Sequence, residues 1–201
     1  MLISTILTFT TNKSTTLPSA LGRAIYAEVL RQIGERDSQL AQAIHVWNGP
    51  VPLTCSSLIS KNRPGRSTRI IPGELYKIRI TGLWDPISRL LESFLLDKPE
   101  ETWVIHRHPF ELVEATCDRM RDDWAGLGAF DDLASTYLLS PHEPERQVTL
   151  CFSSPTAFKS SNFQVPVPMP NLVFGSLADR WNQFSSVQLE ESMRRYSEEN
   201  I

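Results

Sequence analysis

Residues 2–10, LISTILTFT, alternate in character, with Ile3, Leu7 and Phe9 on one side and Ser4 and Thr8 on the other. That period of two predicts a half-buried opening strand. After Pro18, Leu21, Ile25, Val29 and Ile33 recur every four residues, the period of an amphipathic helix that Gly34 helps to stop. Asp37 is placed to cap a short second helix running to about Ile44. The run Asn48-Gly49-Pro50 reads as a turn, PLTCSSLI as a strand, and ELYKIRITGL as a second strand whose Tyr76, Ile78 and Ile80 oppose Lys77 and Arg79. Asp85-Pro86 starts a helix whose apolar stripe is Ile87, Leu90, Leu91, Phe94 and Leu95, and FELVEATCD supplies a closing strand.

Strand, helix, strand, strand, helix, strand is the order of an α+β, ferredoxin-like (βαββαβ) unit, which takes up residues 1–118. Residues 119–145 read as a connector with a short helix around Asp131–Leu139, closed by Ser140-Pro141-His142-Glu143-Pro144. From there a new strand, QVTLCFSS, is followed by a Pro-rich loop and by Val173, Phe174, Leu177, Trp181 and Phe184 at helical spacing. A last helix covers about Glu190 to Glu199. A complete second ferredoxin-like unit takes about 80 residues, more than 146–201 holds, so the second domain is expected to be incomplete.

Composition adds limits. The 201 residues are 41% hydrophobic and 21% charged, which supports an ordinary globular core. The opening run lacks leading basic residues and is too short to span a membrane, so the expectation is a cytoplasmic protein with no membrane partner. Cys55, Cys117 and Cys151 lie far apart with no paired spacing, which suggests neither a disulfide framework nor a zinc finger. A net charge of −3 does not advertise a nucleic-acid binder. Within it, however, residues 61–80 carry Lys61, Arg63, Arg66, Arg69, Lys77 and Arg79 against a lone Glu74. Such a local surplus is what a phosphate-facing surface requires, and it is also what a solvated basic loop looks like.

Residues 152–184, FSSPTAFKSSNFQVPVPMPNLVFGSLADRWNQF, show a strand ending in SPT-x-F, a Pro-spaced loop and then F-x-S-L-x-x-R-W. LAQAIHVWNGPVPLTCSSLI shows a short helix ending in a histidine, a Gly-Pro turn and a serine-containing strand. In both stretches the chain resembles the CRISPR-associated repeat-processing endoribonucleases, the sixth Cas family of the RAMP superfamily. The resemblance implies two tandem ferredoxin-like domains holding a CRISPR repeat RNA, with other Cas proteins, fused domains or a homodimer as further partners. It also implies a glycine-rich loop late in the second domain, and no glycine follows Gly175, so the expectation is a C-terminally truncated member.

The resemblance implies cleavage without metal or other cofactor. The ribose 2′-hydroxyl attacks the adjacent phosphate, leaving a 2′,3′-cyclic phosphate and a 5′-hydroxyl. Such a reaction needs a base, an acid and a cation for the phosphorane. Histidine, whose ordinary pKa is near 6.5, suits the first two roles, and His45 stands at the place of the family's catalytic histidine. Without the resemblance, His45 reads equally as a basic residue closing a helix. Some members pair that histidine with a tyrosine fifteen residues earlier and a lysine six residues later, offsets that fall here on Leu30 and Val51. Tyr26, one turn back, and Lys61 are the replacements expected to complete the catalytic set. Trp47, Arg63, Arg66, Arg69, Lys77 and Lys159 are the candidates for binding RNA, with Arg146 a weaker one. His106 and His108, with Glu111 or Glu114, offer a rival metal site if that segment is extended. The alternative function is a non-catalytic module that binds repeat RNA for a CRISPR complex or a larger fusion protein.

Overall fold

The structure, a computed structural model, describes residues 1–60, 66–94, 102–141, 143, 147–152, 156–160 and 163–200. The chain divides into two compact units, one of Met1–Trp47 with Pro52–Gly128 and one of Asn48–Val51 with Ala129–Ile201.

The first unit is built on β1 (Leu2–Thr10), flanked antiparallel by β5 (Tyr76–Gly82) and β7 (His108–Thr116). With β3 (Leu53–Cys55) beyond β5, the strands run in the order β3-β5-β1-β7. Joined by helix α1 (Gly22–Arg36) and helix α3 (Asp85–Ser93), they give the expected βαββαβ unit. Leu21, Ile25, Val29 and Ile33 are all buried, as their spacing predicts. Helix α1 passes through Gly34, however, and ends at Asp37, whose extended backbone breaks it. The Asp37 carboxylate then accepts from the Leu40 N–H at 2.9 Å and caps α2 (Ser38–His45).

Several elements depart from the sequence expectation. Strand β1 is buried at every position from Thr5 to Phe9 rather than on one side. As the central strand it lies over the helices on one face. On the other it is crossed by the segment after β7, where the Trp124 carbonyl accepts from the Ser4 hydroxyl. That segment ends in β8 (Gly126–Gly128), which pairs with Leu2–Ser4; sequence placed these residues in the connector. Two further strands were unforeseen. β6 (Thr102–Ile105) forms a hairpin with β7, and β2 (Thr15–Pro18) pairs with β4 (Ser67–Ile70) as a separate ribbon. Both are four residues long, too short to show a period. Leu95 of the expected α3 stripe lies outside the described residues.

Aromatic rings fill the core between sheet and helices. Phe9 lies 5.3 Å from Trp103 and 6.4 Å from Phe110, Tyr76 lies 5.9 Å from Phe110, and Phe94 meets Trp103 edge-on at 5.9 Å. Glu28 is a buried charge. Its carboxylate accepts from the Arg31 guanidinium (2.7 and 2.9 Å), the Gln32 amide and, across to the edge strand, the Val104 N–H, both at 3.2 Å. It thereby ties α1 to β6.

The second unit contains α4 (Phe130–Tyr137), the hairpin of β9 (Phe158–Ser160) and β10 (Phe163–Val165), and helices α5 (Pro170–Phe184) and α6 (Ser192–Asn200). Trp181 meets Phe130 edge-on at 5.3 Å and donates its indole N–H to the Val187 carbonyl at 2.6 Å, so its role is packing. Residues 147–152, expected to open a strand, carry none; without a paired neighbour among the described residues, their apolar alternation has no ladder to join.

Candidate functional site

His45 occupies the last turn of α2 and is exposed. Past it the chain turns tightly: Val46 and Trp47 donate their N–H groups back to Gln42 and Ile44. This holds Trp47 under the helix end, next to His45. Its ring lies 5.2 Å from that of Trp84, tilted by 51°. Trp84 immediately precedes α3, and both rings are half-buried. Leu53, at the start of β3, pairs with Gly82, so α2, β3 and α3 converge at one end of the sheet.

Lys77 and Arg79 are not gathered there. Lys77 pairs with Thr8, five residues along β5 from Gly82, a separation of about 17 Å at ~3.3 Å per residue. Its ammonium is 2.7 Å from the Asp122 carboxylate. Burial alone would push the Asp122 carboxyl up, but the Lys77 and Trp124 hydrogen bonds and the charges of Lys77 and Arg79 hold it below its ordinary value. Beside Lys77, Arg79 donates to the Ser4 hydroxyl at 2.8 Å and lies 5.4 Å from the centre of the Trp124 ring. The open face of the sheet is thus strapped by the 118–124 segment, with its cations engaged.

Arg66 and Arg69 are exposed, Arg69 on β4 opposite Thr16. Tyr26 lies on α1, half-buried. Burial, with Cys55 nearby, raises its phenol above the ordinary range, and burial pushes the Cys55 thiol up to about 12. Tyr26 therefore stays a protonated hydrogen-bond donor. Lys159, in the second unit, is exposed on β9. Lys61, Arg63 and Arg146 lie outside the described residues.

The rival histidine pair is split. His106 and Arg107 form the two-residue turn between β6 and β7, both with positive φ (51° and 65°), a conformation that costs a side chain energy outside glycine. His108 is buried, 3.1 Å from the Thr11 hydroxyl, and burial together with the Lys13 charge holds its imidazole below the ordinary value. The two do not share the face of a strand, because only His108 belongs to one. Among the described residues no group of three or more His, Cys, Asp or Glu is placed to hold a metal ion. Nor is any helix long and apolar enough to cross a membrane.

Sequence reasoning missed Trp84, Asp122 and Trp124. Trp84 carried a local signal, an aromatic residue directly ahead of the Asp85-Pro86 helix start. Asp122 had none, since its importance comes from a partner 45 residues away.

Comparison with known proteins agrees with this architecture. Residues 150–199 match the family model described as CRISPR-associated endoribonuclease Cas6. None of the curated protein sequences compared matches this one. Among solved structures, a Cas6 product complex superposes with a TM-score of 0.71 at 20% identity, covering 98% of this chain and 73% of that one. A second Cas6 product complex gives 0.65 at 24% identity, over 98% and 69% of the two chains. The Cas6 of Thermus thermophilus gives 0.66 at 21% identity, over 99% and 69%. The fold shared with these Cas6 structures extends over nearly the whole chain, and the family match falls on the stretch with the SPT-x-F and F-x-S-L-x-x-R-W signatures, so the chain has the Cas6 fold and carries a Cas6-like segment over residues 150–199.

Proposed function

We propose that this protein cuts CRISPR repeat transcripts into guide RNAs by attack of a ribose 2′-hydroxyl on the adjacent phosphate, without a metal ion. The observation that carries the reading is the exposed His45 at the end of α2, two residues before Trp47, whose ring meets that of Trp84, in a chain with the Cas6 fold. His45 takes the 2′-proton as the 2′-oxygen bonds to phosphorus. The bond from phosphorus to the 5′-oxygen breaks, the leaving oxygen is protonated, and a 2′,3′-cyclic phosphate and a 5′-hydroxyl remain. Tyr26 and Lys61 are the proposed donor and cation, and Trp47, Arg63, Arg66, Arg69, Lys77 and Lys159 the proposed RNA contacts.

One observation favours a second reading, a repeat-RNA-binding module that does not cut. Leu30 and Val51 stand where some members place tyrosine and lysine. End-labelled repeat RNA, incubated with the protein in EDTA and resolved on denaturing and native gels, separates the two. A single cut with a cyclic phosphate end, absent when the nucleotide 5′ to the cut is 2′-deoxy, supports the nuclease. A shifted band with intact RNA supports the binding module.

A further inference from the structure

Trp84 has a backbone fixed from both sides. Its carbonyl accepts from the Ser88 N–H at 2.9 Å, in the first turn of α3, and the preceding Leu83 N–H donates to Pro52 at 2.8 Å. Trp47 is held by its N–H to Ile44, at 3.3 Å. The two rings are therefore carried on ordered elements rather than on a loose loop. At 51° to each other they are tilted rather than stacked face to face, and both are half-buried. They form a bent aromatic surface, with His45 two residues before Trp47 in the chain.

Cleavage by a 2′-hydroxyl requires the 2′-oxygen, the phosphorus and the leaving 5′-oxygen to come into line. A stacked A-form strand does not present them so, and a strand whose neighbouring bases are splayed apart does. Aromatic side chains hold splayed bases of single-stranded RNA by stacking, with little regard to base identity. A base fixed against two rigid rings sets its ribose beside the histidine, which is the entropic part of catalysis.

We infer that Trp84, together with Trp47, is a stacking platform for an unpaired nucleobase of the RNA at the cleavage position, acting mainly on the rate of cutting. This inference rests on the endoribonuclease reading given above. The platform chooses single-stranded nucleotides over paired ones, and so fixes the cut beside a duplex arm rather than within it.

The test compares wild type, Trp84→Leu and Trp84→Phe in single-turnover cutting of repeat RNA, alongside binding of the 2′-deoxy, uncuttable RNA. Thermal melts of the three proteins establish that each is folded. A second RNA carries an abasic nucleotide at the cleavage position. Loss of one stacked base predicts that Trp84→Leu cuts about 5- to 150-fold more slowly, that its binding of the uncuttable RNA changes far less, and that Trp84→Phe recovers most of the rate. With the abasic RNA, wild type and Trp84→Leu should cut at the same slow rate. Equal rates for wild type and Trp84→Leu on intact RNA, or an undiminished difference on abasic RNA, overturns the platform while leaving the nuclease standing. Wild-type protein that neither binds nor cuts repeat RNA overturns both.

Discussion

Glu28 offers a sharp test of how the first unit is held together. The residue is 5% exposed, and its carboxylate is the acceptor shared by Arg31, Gln32 and the Val104 N–H. Replacing it with alanine leaves the Gln32 amide, in a residue only 1% exposed, without an acceptor; an unsatisfied buried polar group costs about 1–3 kcal/mol. The Val104 N–H loses its tie to α1, while Arg31, nearly half-exposed, regains water at little cost. The expected loss for Glu28→Ala is about 2–3 kcal/mol, a large share of the roughly 5–15 kcal/mol that holds a domain folded. At an ordinary slope of about 2 kcal/mol per M, the urea midpoint falls by about 1 M or somewhat more. Tryptophan fluorescence reads this transition, because Trp47, Trp84, Trp103 and Trp124 all lie in the first unit. Burial by itself would raise the Glu28 carboxyl, but the Arg31, Gln32 and Val104 hydrogen bonds and the Arg31 charge hold it below its ordinary value. A carboxyl lowered in the folded state stabilises fully above its unfolded pKa, and that contribution fades as the pH falls through the folded pKa. The stability gap between wild type and Glu28→Gln should accordingly narrow on acidification below about pH 4.5. A midpoint for Glu28→Ala within about 0.2 M of wild type, or a gap to Glu28→Gln that does not change with pH, would refute the reasoning.

Other consequences are equally specific. A Cβ at Gly82 would meet the Ser88 hydroxyl at 3.0 Å and the Ile3 and Ile87 side chains at 3.1 and 3.2 Å; Gly82→Ala should cost roughly 1–3 kcal/mol in the same urea assay, and a neutral result would contradict the close approach of α3 to the sheet. Because Asp122 already engages Lys77, Lys77→Ala should weaken RNA binding and lower its salt dependence by less than Arg69→Ala does. Arg69→Ala, on the exposed side of the β2–β4 ribbon, should weaken RNA binding and lower the slope of log affinity against log salt by about 0.7–0.9; filter binding from 50 to 300 mM salt, about the usual range, distinguishes the two. Asp122→Asn, by releasing Lys77 and Arg79, should tighten RNA binding and steepen the slope, and no change would mean that the open sheet face stays clear of RNA.

The parts of the fold legible in sequence are those with long periods or strong punctuation. The Leu21–Ile33 repeat, the Asp37 cap and the Asp85-Pro86 start each specify their structure locally. The edge hairpin and the β2–β4 ribbon could not be read, because four-residue strands give no period and their pairing partners are remote. The metal alternative drew on His106 and His108 as strand neighbours; a two-residue turn with both residues at positive φ is not the sequence signal that His-Arg gives. At the candidate site, His45 and Trp47 could be found from the motif. Basic residues gathered in sequence at 61–80 looked like one patch, yet the strand pairing sends Lys77 and Arg79 under the 118–124 strap and Arg69 onto a separate ribbon. Charge is counted along the chain, while its availability is decided across it.

The most direct test of the central claim is the single-turnover rate of repeat-RNA cutting by His45→Ala against wild type, with binding of the uncuttable 2′-deoxy RNA measured in parallel. Loss of a positioned general base predicts a rate lower by about 10²–10⁴-fold with binding nearly unchanged. Cutting by His45→Ala at the wild-type rate would contradict the assignment of His45 and the cleavage site built around it.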